Sequence, residues 1–87
     1  MDNKQKYDQS FMESFSIDES VLGDDLLYNS IPEWDSVGHM SMVAGLEDAF
    51  DIMLEMDDII DFSGYKKGFE IIAKYGIQIS RIILTEN

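Results

Sequence analysis

Ser36 is the residue best placed to carry chemistry, because it follows Asp35 at the start of the most regular helical pattern in the chain. Three roles fit a serine there. Its hydroxyl can share in capping the helix, which is worth about 1 kcal/mol. It can be a nucleophile activated by Asp35 or His39. It can also carry a phosphodiester, since anionic groups are favoured at the positive end of a helix dipole.

The nucleophile interpretation is the weakest of the three, because His39 is poorly placed to activate Ser36. At about 100° per residue, the two side chains lie well apart around a helix, with His39 towards the core side. The chain also has no Gly-x-Ser-x-Gly elbow and no obvious oxyanion site. We therefore expect a packed, hydrogen-bonded His39 and a protein that is not an enzyme.

Composition disfavours several other kinds of site. With no cysteine and one histidine in 87 residues, disulfides and thiol catalysis are excluded and a zinc site is improbable. Eighteen acidic residues against six basic ones give a net charge of −12, which repels nucleic acid and anionic membranes and attracts basic partners. The N-terminus does not resemble a signal peptide, and no apolar run reaches the ~20 residues that span a bilayer. We expect a monomeric, cytoplasmic protein without a bound metal.

The apolar pattern predicts an all-α fold of three main helices and a short third helix. Asp35 is a good N-cap for the second helix, and Ser63 can cap the last one. The acidic residues Asp57, Asp58 and Asp61 should form a solvated face of the short helix. The predicted helices are 4–15, 35–50, 57–62 and 64–75.

A long first loop, residues 16–34, separates the first two helices and is too apolar to be a free linker. We expect it to pack on the core, to contain a short helical turn, and to end in Trp34 as a packing anchor. Gly76 is a natural helix stop, which divides the chain into a domain, 1–76, and a tail, 77–87. The tail is compatible with a strand, a docked extended segment or more helix.

The second helix has two apolar faces, although a helix in a small bundle needs only one. The core face comprises Met42, Val43, Leu46 and Phe50, with His39 among them. The opposite face, called here the outer face, comprises Val37, Met40, Ser41, Ala44, Glu47 and Asp48. The outer face either packs against the loop or the tail, or docks a basic partner through adaptable apolar contacts bordered by acids.

Asp35-Ser36-Val37 resembles the Asp-Ser-Leu motif of acyl carrier proteins, in which the serine carries 4′-phosphopantetheine. The similarity extends over about residues 4–75. The segment from Leu46 to Phe50 resembles the Leu-Glu-Glu-x-Phe that closes the family's second helix. An inward aliphatic at Leu54, an acidic start to a short helix and a polar cap at Ser63 then follow at the family's spacing.

The resemblance implies a right-handed bundle of three main helices and a short one, with a long first loop. It implies that a phosphopantetheinyl transferase loads Ser36 from coenzyme A, with Asp35 as part of the motif. The thiol of the arm would hold an acyl, hydroxyacyl or aminoacyl group as a thioester. Acyl-loading and acyl-transferring enzymes with basic docking surfaces would then recognise the outer face. A cleft that shelters the cargo is implied at Leu46, Leu54, Ile59 and Phe62.

Two positions depart from the carriers of fatty-acid synthesis, which usually have acidic residues two and five places after the serine. Here these positions are Gly38 and Ser41. The segment from Glu33 to Met40 is more similar to the discrete carriers of specialised biosynthetic pathways, so we expect a specialised role. Gly38 should also cost the helix about 1 kcal/mol relative to alanine.

The alternative hypothesis is a non-covalent acidic adaptor. It would bind a partner through Val37, Met40 and Ala44 without any prosthetic group.

Overall fold

A computed structural model of this chain describes residues 2–79, and over that range the fold is all-α, as predicted. The helices agree with the predicted ones to within two residues at each end. They are α1 (Asn3–Phe15), α2 (Ser36–Phe50), α3 (Met56–Asp61) and α4 (Tyr65–Ala73). None of these four helices is long and apolar enough to cross a membrane.

The core is built around the aromatic stripe of α1. Tyr7, Phe11 and Phe15 recur every four residues, so they lie on one helix face, and none of the three is accessible to solvent. Phe11 is the centre, with ring centroids 4.9 to 6.1 Å from those of five other aromatic residues. These are Tyr7, Phe15, Trp34, Phe62 and Tyr65. The aromatic cluster therefore joins α1 to the long loop, to the end of α3 and to α4.

The long loop packs on this core, and it contains the expected helical turn, a 3₁₀ turn at Glu19–Val21. Leu26 and Trp34 are buried, although Leu27 keeps half of its surface exposed. The loop is also hydrogen-bonded to the start of α4, where the backbone N–H of Tyr65 donates to the carbonyl of Leu26 at 2.9 Å. The loop is thus part of the packed unit rather than a linker.

The predicted cap of the last helix is wrong. Gly64, not Ser63, is the N-cap of α4, and no side chain caps this helix. The carbonyl of Ser63 instead accepts a hydrogen bond from the backbone N–H of Tyr28 at 3.0 Å. The close approach of the long loop therefore determines how α4 begins.

A buried polar network ties α1 to α4. The hydroxyl of Tyr65 donates to Asp8 at 2.5 Å, and Lys4 donates to the other oxygen of the same carboxylate at 2.7 Å. Burial, followed by the hydrogen bond to Asp8, raises the pKa of Tyr65 to about 12. The hydroxyl of Tyr7 donates to the backbone carbonyl of Tyr65 at 2.6 Å, so the helix pair is joined by polar as well as apolar contacts.

The packed unit extends beyond the predicted domain boundary at residue 76. Ile79 is buried in the core cluster, and the side-chain amide of Asn3 donates to the carbonyl of Gln78 at 3.2 Å. Residues 77–79 therefore form a docked segment without regular secondary structure. The rest of the predicted tail, residues 80–87, lies outside the described residues.

Asp58 overturns part of the prediction for the acidic face of α3. Asp57 and Asp61 are exposed as expected, but Asp58 is buried. Its two oxygens accept hydrogen bonds from Lys74 and from the hydroxyl of Tyr75, each at 2.5 Å. Both hydrogen bonds lower the pKa of Asp58 below its ordinary 3.8, and the bond from Lys74 has the larger effect. Asp58 thus fastens α3 to the end of α4.

We expect Asp58→Asn to lower the melting temperature at neutral pH. Because the pKa of Asp58 is lower in the folded than in the unfolded chain, its ionised form stabilises the fold above 3.8. That contribution is lost as the pH falls through the folded pKa, so wild type and variant should converge in acid. Thermal unfolding followed by circular dichroism at several pH values measures this. Asp57→Asn, at the exposed neighbouring residue, is the control. Equal stability of the two variants at neutral pH would contradict the role of Asp58 in fastening α3 to α4.

Candidate functional site

Asp35 determines where α2 begins and so where Ser36 lies. One carboxylate oxygen of Asp35 accepts a hydrogen bond from the backbone N–H of Gly38 at 2.9 Å, which confirms the predicted N-cap. Ser36 is therefore the first residue of α2, and its side chain is exposed. The first N–H groups of a helix have no carbonyl partner within it, and they make this end electropositive. An accessible hydroxyl thus stands at a position that favours an attached anionic group.

The hydroxyl of Ser36 contacts Tyr28, not His39. The two hydroxyl oxygens of Tyr28 and Ser36 are 3.2 Å apart and hydrogen-bonded. Sequence analysis did not select Tyr28, because the long loop has no period that predicts where its side chains point. The only indication in the sequence is that Tyr28 combines an aromatic ring with a hydroxyl and stands eight positions before Ser36.

His39 links the long loop, α2 and α3. Its Nδ1 accepts a hydrogen bond from the indole N–H of Trp34 at 2.9 Å, so the ring proton is on Nε2. Nε2 then donates to the carbonyl of Ile59 in α3 at 2.8 Å. The expectation of a packed, hydrogen-bonded His39 is confirmed. Both ring nitrogens are engaged, and neither is left to take a proton from Ser36, which argues against the nucleophile interpretation.

A cavity of about 400 Å³, called here the Ser36 cavity, lies between the start of α2 and α3. The polar side chains of its wall come from the loop, from the start of α2 and from the segment before α4. The apolar side chains come from α2, from α3 and from Phe62. The lining residues are Tyr28, Ser36, His39, Met40, Met56, Ile59, Ile60, Phe62 and Ser63. The hydroxyl that could be modified thus borders a largely apolar cavity.

Only two of the four predicted cleft residues line this cavity. Ile59 and Phe62 do so, but Leu46 and Leu54 are buried in the core and are not part of its wall. The second half of α2 packs against the core, so the space that remains between α2 and α3 is next to Ser36. Met40 and Met56, which line the cavity instead, are more than half exposed.

The outer face of α2 is largely open. Val37 is 78% exposed and Met40 53% exposed, and Ser41, Ala44 and Asp48 are also exposed. One of the two expectations was that the loop or the tail covers this face, and the loop leaves Val37 and Met40 more than half exposed. Glu47 differs, because it is half-buried and one of its carboxylate oxygens accepts the backbone N–H of Leu54 at 2.9 Å. Glu47 therefore helps to hold the link between α2 and α3.

Positive charge is absent from the long middle segment of the chain. The segment from Tyr7 to Tyr65 contains fifteen of the eighteen acidic residues and no lysine or arginine. In the part of the chain that the structure describes, the cations lie in α1 and in or just after α4, and four of them pair with carboxylates. These are Lys4, Lys66, Lys67 and Lys74. The helices that surround Ser36 therefore carry acidic charge alone. Within residues 2–79, no three acidic or histidine side chains are arranged to hold a metal ion.

Comparison of this chain with protein-family models, with curated proteins and with solved structures finds no match. Functional conclusions therefore rest on the geometry around Ser36.

Gly38 has a structural role that sequence analysis missed. A Cβ atom at Gly38 would lie 2.0 Å from the backbone carbonyl oxygen of Glu33 and 3.3 Å from the ring of Phe15. The loop that leads into α2 therefore crosses directly over this position. Packing therefore requires a glycine at position 38.

We expect Gly38→Ala to lower the free energy of unfolding by at least about 1 kcal/mol, because the loop must move away from α2. Gly45 in the same helix is the matched control, since an added Cβ would meet Ser10 and Ser14 at an ordinary 3.7 Å. Gly45→Ala should raise stability by up to about 1 kcal/mol through helix propensity. Urea unfolding measures both. A stabilising effect at both positions would show that the loop does not constrain Gly38.

Proposed function

We propose that this chain is a carrier protein that holds an acyl, hydroxyacyl or aminoacyl group as a thioester on 4′-phosphopantetheine attached to Ser36. It would present the group to enzymes of a biosynthetic pathway. The observation that carries the proposal is the exposed Ser36 hydroxyl at the N-terminus of α2, bordering an apolar cavity of about 400 Å³. The order of the helices, with a long first loop and a short α3, agrees with the acyl-carrier-like bundle that the resemblance implies.

The residues around Ser36 fit the attached group. The exposed hydroxyl is open to a transferase, and the N-terminus of α2 stabilises a phosphodiester. Asp35 carries negative charge next to the serine, but one of its oxygens is already occupied by the N–H of Gly38. When bound, the group supplies a terminal thiol that holds the cargo as a thioester.

Loading would be a phosphoryl-group transfer from coenzyme A. The Oγ of Ser36 attacks the phosphorus that carries pantetheine, and an Oγ–P bond forms. The bond from that phosphorus to the oxygen of adenosine 3′,5′-bisphosphate breaks, and the serine proton is released. Neither His39 nitrogen is free to accept that proton, so the base comes from the transferase.

The surface around Ser36 supports recognition by basic partners. Val37 and Met40 offer exposed apolar contacts on a helix with no positive charge, which attracts enzymes with basic docking surfaces. The absence of an acid at the exposed Ser41 supports a specialised pathway rather than housekeeping fatty-acid synthesis, whereas the glycine at position 38 is explained by packing.

Incubation with coenzyme A and a broad-specificity phosphopantetheinyl transferase should add one phosphopantetheine to the wild type. Ser36→Ala should remain unmodified, because the attacking oxygen is gone. The exposed Ser20 in the 3₁₀ turn, outside the outer face and the Ser36 cavity, provides the control, and Ser20→Ala should be modified like the wild type. Intact-mass spectrometry measures the adduct. No adduct on the wild type, or an adduct that survives Ser36→Ala, would refute the proposal.

The exposed apolar residues of the outer face also support the alternative, a non-covalent adaptor. The two functions differ in what Ser36→Ala does in cells that depend on the protein. An adaptor should tolerate Ser36→Ala and fail with Met40→Glu, which places a charge in its apolar contact. A carrier should fail completely with Ser36→Ala and be impaired by Met40→Glu. Complementation of a deletion strain distinguishes them, and Met53→Glu, at an exposed methionine away from the cavity, is the control.

A further inference from the structure

Tyr28 is the one side chain whose hydrogen bond to Ser36 Oγ is seen among the described residues. It also forms part of the wall of the Ser36 cavity. Neither the helix pattern nor the carrier motif accounts for this residue. A phenol therefore lies within hydrogen-bonding distance of the hydroxyl that the proposed function modifies.

The backbone around Tyr28 is fixed on both sides. The N–H of Tyr28 donates to the carbonyl of Ser63 at 3.0 Å, and the N–H of Asn29 donates to the carbonyl of Trp34 at 3.0 Å. Asn29 has a φ of 70°, in the left-handed region that asparagine adopts more readily than most residues. Tyr28 thus stands on a segment tied both to the start of α4 and to the residue before the cap of α2.

The ring of Tyr28 packs on one side, although 38% of the residue is exposed. It packs edge-on against His39, with centroids 5.5 Å apart, and against Trp34, with centroids 6.5 Å apart. Those two residues are themselves hydrogen-bonded to each other. These two ring contacts direct the hydroxyl towards Ser36 and restrict the conformations that the exposed side chain can adopt.

We propose that Tyr28 is a positioning residue for the modification of Ser36. Its hydroxyl orients the Oγ of Ser36 for attack, and afterwards it donates to a non-bridging oxygen of the phosphodiester, which keeps the arm beside the Ser36 cavity. This inference rests on the proposed function and names a residue that acts on the same site.

The chemistry of the two hydroxyls supports this order of events. Either hydroxyl can donate in this hydrogen bond, and we assign Tyr28 as the donor because the phenol is the more acidic of the two. One lone pair of Oγ is then occupied, and the direction of the other is restricted. After transfer, Oγ is an ester oxygen and a poor acceptor, whereas the non-bridging oxygens of the phosphodiester share a negative charge. The same donor then makes a stronger, charge-assisted hydrogen bond without the ring having to leave its place.

The test compares Tyr28→Phe with the wild type as a substrate of the transferase. The phenylalanine keeps the ring contacts with Trp34 and His39 and removes only the hydroxyl. We expect kcat for loading to fall about fivefold with KM unchanged, because one hydrogen bond of ordinary strength is lost at the reacting atoms and not at the docking surface. Tyr65→Phe is the control, since that hydroxyl binds Asp8 and is not part of the cavity wall.

The second readout is the ³¹P resonance of the loaded proteins. In Tyr28→Phe it should move towards the position found in urea-unfolded holo-protein, and in Tyr65→Phe it should stay at the wild-type position. Circular dichroism checks that both variants are folded. An unchanged kcat together with an unchanged ³¹P resonance would overturn the inference, as would a rise in KM alone, which would indicate a docking role. A wild type that accepts no phosphopantetheine would overturn the proposed function itself.

Discussion

The burial of Trp34 is the interaction on which the site depends. Its indole ring stacks on Phe15 of α1 with centroids 5.0 Å apart, meets Phe11 edge-on, and is inaccessible to solvent. Because Trp34 precedes the cap of α2 by one residue, anchoring the indole determines where the helix and its serine begin. The same indole donates to His39, which then reaches the carbonyl of Ile59. One side chain thus connects the loop, α1, α2 and α3 next to Ser36.

The lysines contribute mainly to the stability of the fold, whereas α2 and α3 next to Ser36 contain acidic side chains and no lysine or arginine. The lysines of α1 and α4 are used largely for pairing with acids, including the buried carboxylates of Asp8 and Asp58. Burial of a carboxylate is tolerated there because each one accepts two hydrogen bonds, from a lysine and from a tyrosine. The helices α2 and α3 contain no lysine or arginine, and Lys74 pairs with Asp58 of α3, so the remaining acids of these helices favour positively charged surfaces.

Gly38 shows how packing and recognition can act on one position. In the sequence, Gly38 is a weak helix former at a position where the carriers of fatty-acid synthesis usually have an acidic residue. In the fold, the backbone carbonyl of Glu33 lies so close to Gly38 that any Cβ atom there would clash with it. That crossing follows from the burial of Trp34, since the residue before the indole must pass over the first turn of the helix. The glycine at this position therefore has a physical cause within this chain, independent of any partner.

The all-α fold, the four helices and the cap at Asp35 were determined by the sequence alone, because periodicity and capping act over three or four residues. The sequence left open whether the loop or the tail covers Val37 and Met40, and the structure shows that both are more than half exposed. Only the tertiary structure decided that Tyr28 contacts Ser36, that Asp58 is buried, and that the cavity is bordered by Met40 and Met56 in place of Leu46 and Leu54. These features depend on how a loop without periodicity packs across the helices, and on contacts between residues distant in sequence. No local pattern of residue types specifies them.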